Sequence, residues 1–223
     1  MSTALKAAGV RPAGTRKSKA AGPKFKRRAE ARPDEILDAA LAVFTEKGFE
    51  AARVDDIAAR AGISKGAVYL YFESKDELLR GLIEREAAPA AHRLRAIAEA
   101  GGADVRATLT LLVTVATQLL NDPRIFATPK LVLSVAARFP EIGEYYRKRV
   151  VDEAIGAIST LHEKGVGAGV FRDIDSDTAA RMVMGPLLVF AMRKHVLGAK
   201  DNSPPEERAK AHLDILFDGL VTR

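Results

Sequence analysis

Ser64 is the first side chain that could carry covalent chemistry, because Gly62–Ile63–Ser64–Lys65–Gly66 fits the G-x-S-x-G pattern of a hydrolase nucleophile elbow. An elbow needs a strand before the serine and acid and base partners after it. The residues before Gly62 instead place Val54, Ile57, Ala58 and Ala61 at helical spacing. A serine that follows such a run and opens another helix has a different task, accepting the first backbone N–H groups as a cap. Metal chemistry is no better served. The chain has no cysteine, and His92, His162, His195 and His212 show no close ligand pairing. The glycines at 165, 167 and 169 hint at a phosphate loop, but they follow a helical run rather than a strand and read as a helix stop. The residues therefore call for no metal, no cofactor and no catalysis.

The remaining chemistry is recognition. Ser64, Gly66 and Ala67 make a slim helix start that can approach base edges closely, and Lys65 can reach a phosphate or a guanine. Tyr69 and Tyr71 are spaced for phosphate or thymine-methyl contact. Residues 54–72 hold a helix, a tight turn at Gly62–Ile63 and a second helix too short to be a core element, which is helix-turn-helix spacing.

Charge is distributed unevenly around this segment. Residues 1–32 carry ten Lys and Arg and one acid, Glu30, whereas residues 33–85 carry seven Lys and Arg and eleven Asp and Glu. The first stretch has few large apolar residues and reads as a basic arm, disordered when free and suited to a polyanion. Arg27 and Arg28 are its candidate DNA contacts. The acid excess of the second stretch opposes DNA binding, and the positive helix starts at Ser64 and Ser74 together with the arm offset it.

The elements that must position these residues are helical throughout. Ile36, Leu37, Ala40, Val43 and Phe44 form one stripe, with Pro33 suited to its first turn and Gly48 to its stop. Ser74 and Glu77 form a capping-box pattern for a helix reaching Gly101–Gly102, with a kink or break expected at Pro89. Further helices are expected from Asp104 to about Asn121, after Asp122–Pro123, after Thr128–Pro129, from Pro140 to Gly165, from about Asp177 to Gly198, and from Ser203 onward. The fold class is all-α, with an arm over 1–32, a three-helix DNA-binding domain over 33–85 and a larger helical domain over 86–223. No apolar run is long enough to span a bilayer and no secretory signal follows the basic start, so a cytoplasmic protein without a membrane role is expected.

Residues 53–83, RVDDIAARAGISKGAVYLYFESKDELLRGLI, resemble the DNA-binding domain of the TetR family of bacterial transcriptional repressors. The matching positions are Ile57, Ala58, Ala61, Gly62, Ser64, Gly66, Tyr69, Tyr71, Phe72, Lys75 and Leu78, and with the preceding helix the likeness covers the span 33–83. The resemblance implies that Lys65, Gly66 and Ala67 read bases and that Tyr69, Tyr71 and Lys75 hold phosphates. One position departs: such proteins often have Thr where Arg53 stands as a helix cap. Either that helix starts differently or Arg53 is itself a phosphate contact.

The resemblance also implies that the larger domain binds a small-molecule effector and forms a homodimer. The run 105–120 is apolar nearly all round, with Thr110, Thr114 and Thr117 in one row. Those hydroxyls either line a ligand cavity or bond back to their own helix. Phe126, His162, Met182 and Phe190 are the other candidate ligand contacts. Leu213, Leu216, Phe217 and Leu220 form a stripe on the last helix, the candidate dimer seam, and a dimer would set two reading helices ~34–36 Å apart on a palindromic operator. The expected function is a ligand-responsive transcriptional repressor released by its effector. The alternative is a helical small-molecule carrier or enzyme with no DNA role.

Overall fold

The computed structural model describes residues 24–200 and 203–220, with side chains described from residue 32 to residue 219 outside 201–202. All regular structure in them is helical: α1 (Lys24–Lys47), α2 (Val54–Ala61), α3 (Lys65–Tyr69), α4 (Lys75–Leu82), α5 (Ala88–Ala100), α6 (Val105–Asn121), α7 (Pro123–Val135), α8 (Pro140–Tyr146), α9 (Asp152–Gly167), α10 (Ser176–His195) and α11 (Pro205–Leu220). Single π-helical turns, Ile83–Ala87 and Arg147–Val151, join α4 to α5 and α8 to α9.

Short polar side chains set most helix starts. Ser64, Ser74, Asp104, Asp122 and Asp175 each accept a backbone N–H from two or three residues ahead, at 2.7–3.2 Å. Three boundaries differ from the periodicity. Helix α1 already runs from Lys24, with Pro33 inside it. Helix α7 does not restart at Thr128–Pro129; it passes through Pro129, whose ring is buried. The helical run expected from Pro140 to Gly165 is continuous to Gly167 but takes in the second π-turn. The break expected at Pro89 is met by the first π-turn, where the Ala88 N–H reaches back to the Ile83 carbonyl just before the proline.

Residues 33–223 form one compact unit. One apolar cluster joins α1–α4 around Ile36, Phe44, Ile57, Val68 and Leu78, and it continues into Leu131, Val132, Val135 and Ile142 of α7 and α8. The reading head therefore shares its core with the larger region. Phe49 bridges them, packing on Phe44 at 5.0 Å and edge-on to Phe139 at 5.3 Å. A second cluster fills the space between α5, α6, α9, α10 and α11.

Candidate nucleic-acid interface and apolar cavity

Helix α2 begins at Val54 without a cap oxygen from Arg53. The N–H of Arg53 donates to the Asp56 carboxylate at 3.2 Å, so the acid in the first turn reaches back and closes the helix start. Lys47, 2.8 Å from Asp56, holds that carboxyl below its usual range and keeps it charged. This answers the question posed by Arg53: the start is unshifted, and the Arg53 side chain is exposed. The turn follows from Gly62, at φ +67° and ψ 31°, where a Cβ would cost ~1–2 kcal/mol. The Gly62 N–H donates to Ala59 at 3.3 Å and the Ile63 N–H to Ala58 at 3.0 Å, satisfying carbonyls that end α2.

Helix α3 has only five residues, and Val68, fully buried, anchors it to the core. Ser64 caps it through the Ala67 N–H at 3.2 Å, its role here being structural. The remaining surface faces outward. Lys65 and Gly66 are exposed, Tyr69 is 45% and Tyr71 39% exposed, and Leu70, which the sequence reading passed over, is 82% exposed. A Cβ added at Gly66 would meet only the Ser64 hydroxyl, at 4.0 Å, so nothing within the chain demands a glycine there.

Several acids of the head are held in ion pairs. Asp55 holds Lys65 at 2.9 Å and keeps its ammonium above the ordinary range; Glu46 holds Arg60 at 2.7 Å, and Glu50 holds Arg138 at 2.8 Å. Lys75, expected to hold a phosphate, is engaged within the chain here. Its ammonium donates to the Phe49 and Glu50 carbonyls at 2.8 and 3.0 Å and lies over the Phe49 ring, because the chain leaving α1 presents unpaired carbonyls there. The side chains of Arg27 and Arg28 lie outside the described residues.

Beyond the head, α5, α6, α7, α9 and α10 line a half-open apolar cavity of about 510 Å³. Leu94, Leu119, Leu133, Met184 and Leu188 are typical of its wall, and Tyr146 and Arg181 are its two side chains with polar ends. Both π-turns reach it, through Ala87 and through Val150 and Val151. A clamp joins the two turns: Arg149 donates to both Glu84 oxygens at 2.6 and 2.8 Å, and the Tyr145 hydroxyl donates to Glu84 at 2.7 Å. Arg149 beside it is the main reason the Glu84 carboxyl falls to about 2. Arg80 of α4 stacks over the Tyr145 ring at 5.1 Å.

None of the seven residues singled out from the sequence as ligand contacts lines this cavity. Thr110, Thr114 and Thr117 each donate to the carbonyl four residues earlier, at 2.8 Å, which is the local bond a threonine in an apolar helix can always make. Phe126 is buried against His195, and His162 is buried, stacked on Phe171 and bonded through Nδ1 to Ser176 at 2.9 Å. Met182 is exposed. Thr117 and Phe190 instead border a crevice of about 20 Å³ with Asn121 and Lys194.

The expected dimer seam also has another use. Leu213 and Leu216 are buried against the chain's own α6 cluster, and Phe217 packs there beneath the Arg106 guanidinium at 4.4 Å. The reason is that α6 is apolar all round and needs cover on that side. The Leu220 side chain lies outside the described residues. Apolar side chains of α10 and α11 that do face outward include Met182, Val189 and Phe190 of α10 and Ile215 of α11. No described helix is long and apolar enough to cross a membrane.

A capped, five-residue helix held outward beyond a left-handed glycine turn defines a helix-turn-helix DNA-binding protein. Residues 36–82 match the bacterial regulatory proteins of the tetR family, and residues 107–216 match the AefR-like transcriptional repressor C-terminal domain. The chain is 33% identical over 200 residues to the HTH-type transcriptional repressor KstR2 of Rhodococcus jostii, covering 86% of this chain and 92% of that protein. A TetR-family regulator structure from Mesorhizobium loti superposes with a TM-score of 0.72 at 22% identity, covering 87% of this chain and 99% of the other. The transcriptional regulator FadR from Bacillus subtilis, in complex with stearoyl-CoA, superposes at 0.65 with 19% identity, covering 83% and 98%. The chain belongs to the TetR family of DNA-binding transcriptional regulators.

Proposed function

We propose that the chain is a ligand-responsive repressor that binds a palindromic operator as a homodimer and leaves it when a small molecule occupies the apolar cavity. The observation that carries this reading is the continuity of α4, the first π-turn and α5: the same run of chain shares the apolar cluster that holds Val68 of α3 at one end and lines the cavity, through Ala87, at the other. In the complex, Lys65, Gly66 and Ala67 face base edges, while Tyr69, Leu70 and Tyr71 meet phosphate, sugar and thymine methyl groups. Lys65 leaves Asp55 to do so, at a cost of at most ~1 kcal/mol for an exposed pair. Arg53 adds a phosphate contact, Lys75 keeps the head in register, and Arg27 and Arg28 supply basic charge from the arm. The outward apolar side chains of α10 and Ile215 of α11 form the dimer seam in place of the Leu213–Leu216 stripe.

Release works by population shift. A ligand that swells the cavity displaces the π-turns, whose Glu84–Arg149 clamp is set by their spacing, and α4 carries the change to α3. The stearoyl-CoA held by the Bacillus subtilis neighbour supports a small-molecule role for such a helical scaffold. The test is selection of operators from a random duplex pool, followed by titration of the chosen duplex. A palindromic consensus is expected, and Lys65→Ala with Tyr69→Ala should weaken binding about 100-fold with the oligomeric state unchanged. Undiminished binding by that double variant would refute the reading.

A further inference from the structure

The cavity wall restricts what can enter. At ~25 Å³ per heavy atom, the scale on which a ~150 Å³ apolar cavity holds benzene, its volume of about 510 Å³ accommodates roughly 20 non-hydrogen atoms. Its one charged lining side chain, Arg181, is mostly exposed and already gripped by Asp177 through two bonds, at 2.6 and 3.2 Å. An ionised group drawn inside beyond reach of the exposed Arg181 would lose its hydration without a counter-charge, a desolvation cost that apolar contacts do not offset.

Tyr146 is the exception in that wall. It is half-buried, and its hydroxyl has no hydrogen-bond partner among the described residues. Burial pushes its pKa up to about 12, so it stays a neutral O–H donor. A donor in the cavity wall that no protein acceptor holds is free to turn to a ligand oxygen. Its neighbour Tyr145 and the following π-turn belong to the Glu84 clamp, so a group bonded to Tyr146 sits at the root of that clamp.

We propose that the cavity selects an uncharged, lipid-like molecule of roughly 20 non-hydrogen atoms, and that the Tyr146 hydroxyl is the donor that reads its single buried oxygen. An acyl ester and a fused-ring ketone share this chemistry. The proposal rests on the effector reading for its consequence at DNA, but not for binding itself.

The experiment measures binding to the full chain, without DNA, of methyl palmitate, progesterone and heptadecane by thermal shift and native mass spectrometry. At least one oxygenated probe should bind, and Tyr146→Phe should weaken it about tenfold while heptadecane is unaffected. Binding of the ester alone identifies an acyl chain, and of progesterone alone a fused-ring skeleton; either supports the proposal. Gly185 lines the cavity and a Cβ there meets nothing within 4 Å, so Gly185→Leu should keep the fold and exclude the probes. Failure of both oxygenated probes to bind, or equal affinity in wild type and Tyr146→Phe, would overturn it. Probes that bind through Tyr146 but leave operator affinity untouched would sink the effector reading and spare this one.

Discussion

Lys65 shows how a small balance at one residue can set DNA affinity. Its ammonium is exposed yet engaged by Asp55, and an exposed pair of this kind is worth ~0–1 kcal/mol. The same Asp55 would lie near phosphate when α3 enters a groove, adding repulsion to competition. Asp55→Asn should therefore tighten operator binding about three- to tenfold at low salt, the gain shrinking as salt rises. Titration at two ionic strengths checks this, and unchanged affinity would show that Lys65 plays no part in the contact. Gly66 carries the complementary lesson. The chain itself has room for a side chain there, so no contact within the chain demands the glycine.

At the scale of elements, the two π-turns and the clamp between them form the joint between cavity and head. Removing the charge with Glu84→Gln should lower the melting temperature by ~2–4 °C near neutral pH, the effect of ~1 kcal/mol on a chain of this size. The folded pKa of Glu84, about 2, lies below its ordinary 4.5, so the stabilisation is full above pH 4.5 and disappears as pH falls toward 2. Melting curves of wild type and variant across that range should converge; a constant gap would mean the carboxylate charge is irrelevant. The π-turns also mark the limit of what the sequence discloses. Helices α2 to α4 are legible because Gly62, Ser64 and Ser74 act locally, through backbone conformation and caps. The first π-turn is half-legible, since Pro89 announces a break without its form. The second has no proline or glycine to signal it. Its clamp is non-local, joining Glu84 to Arg149 across 65 positions. The cavity was missed for the same reason: its wall is Leu, Ala and Val from five helices, indistinguishable in sequence from ordinary core, while the threonines that drew notice bond to their own helix.

Over residues 33–223, the head and the helices behind it share an apolar core, so a disturbance in the larger region need not cross a flexible linker to reach α3. Two of the outward apolar faces matter most to the proposed function: the Tyr69–Leu70–Tyr71 surface, held by caps and polar turns, and the apolar side chains of α10. On the proposed reading, the first meets DNA and the second a copy of the chain. Hydroxyl-radical footprinting of the protein by mass spectrometry, with and without a selected operator duplex, reads both faces at once. In the free protein, Met182 and Phe190 should already be shielded by the dimer while Tyr69 and Tyr71 react freely; adding duplex should protect both tyrosines severalfold and leave α10 unchanged. Tyrosines that stay equally reactive in the DNA-bound state would contradict the claim that α3 is the element that reads the duplex.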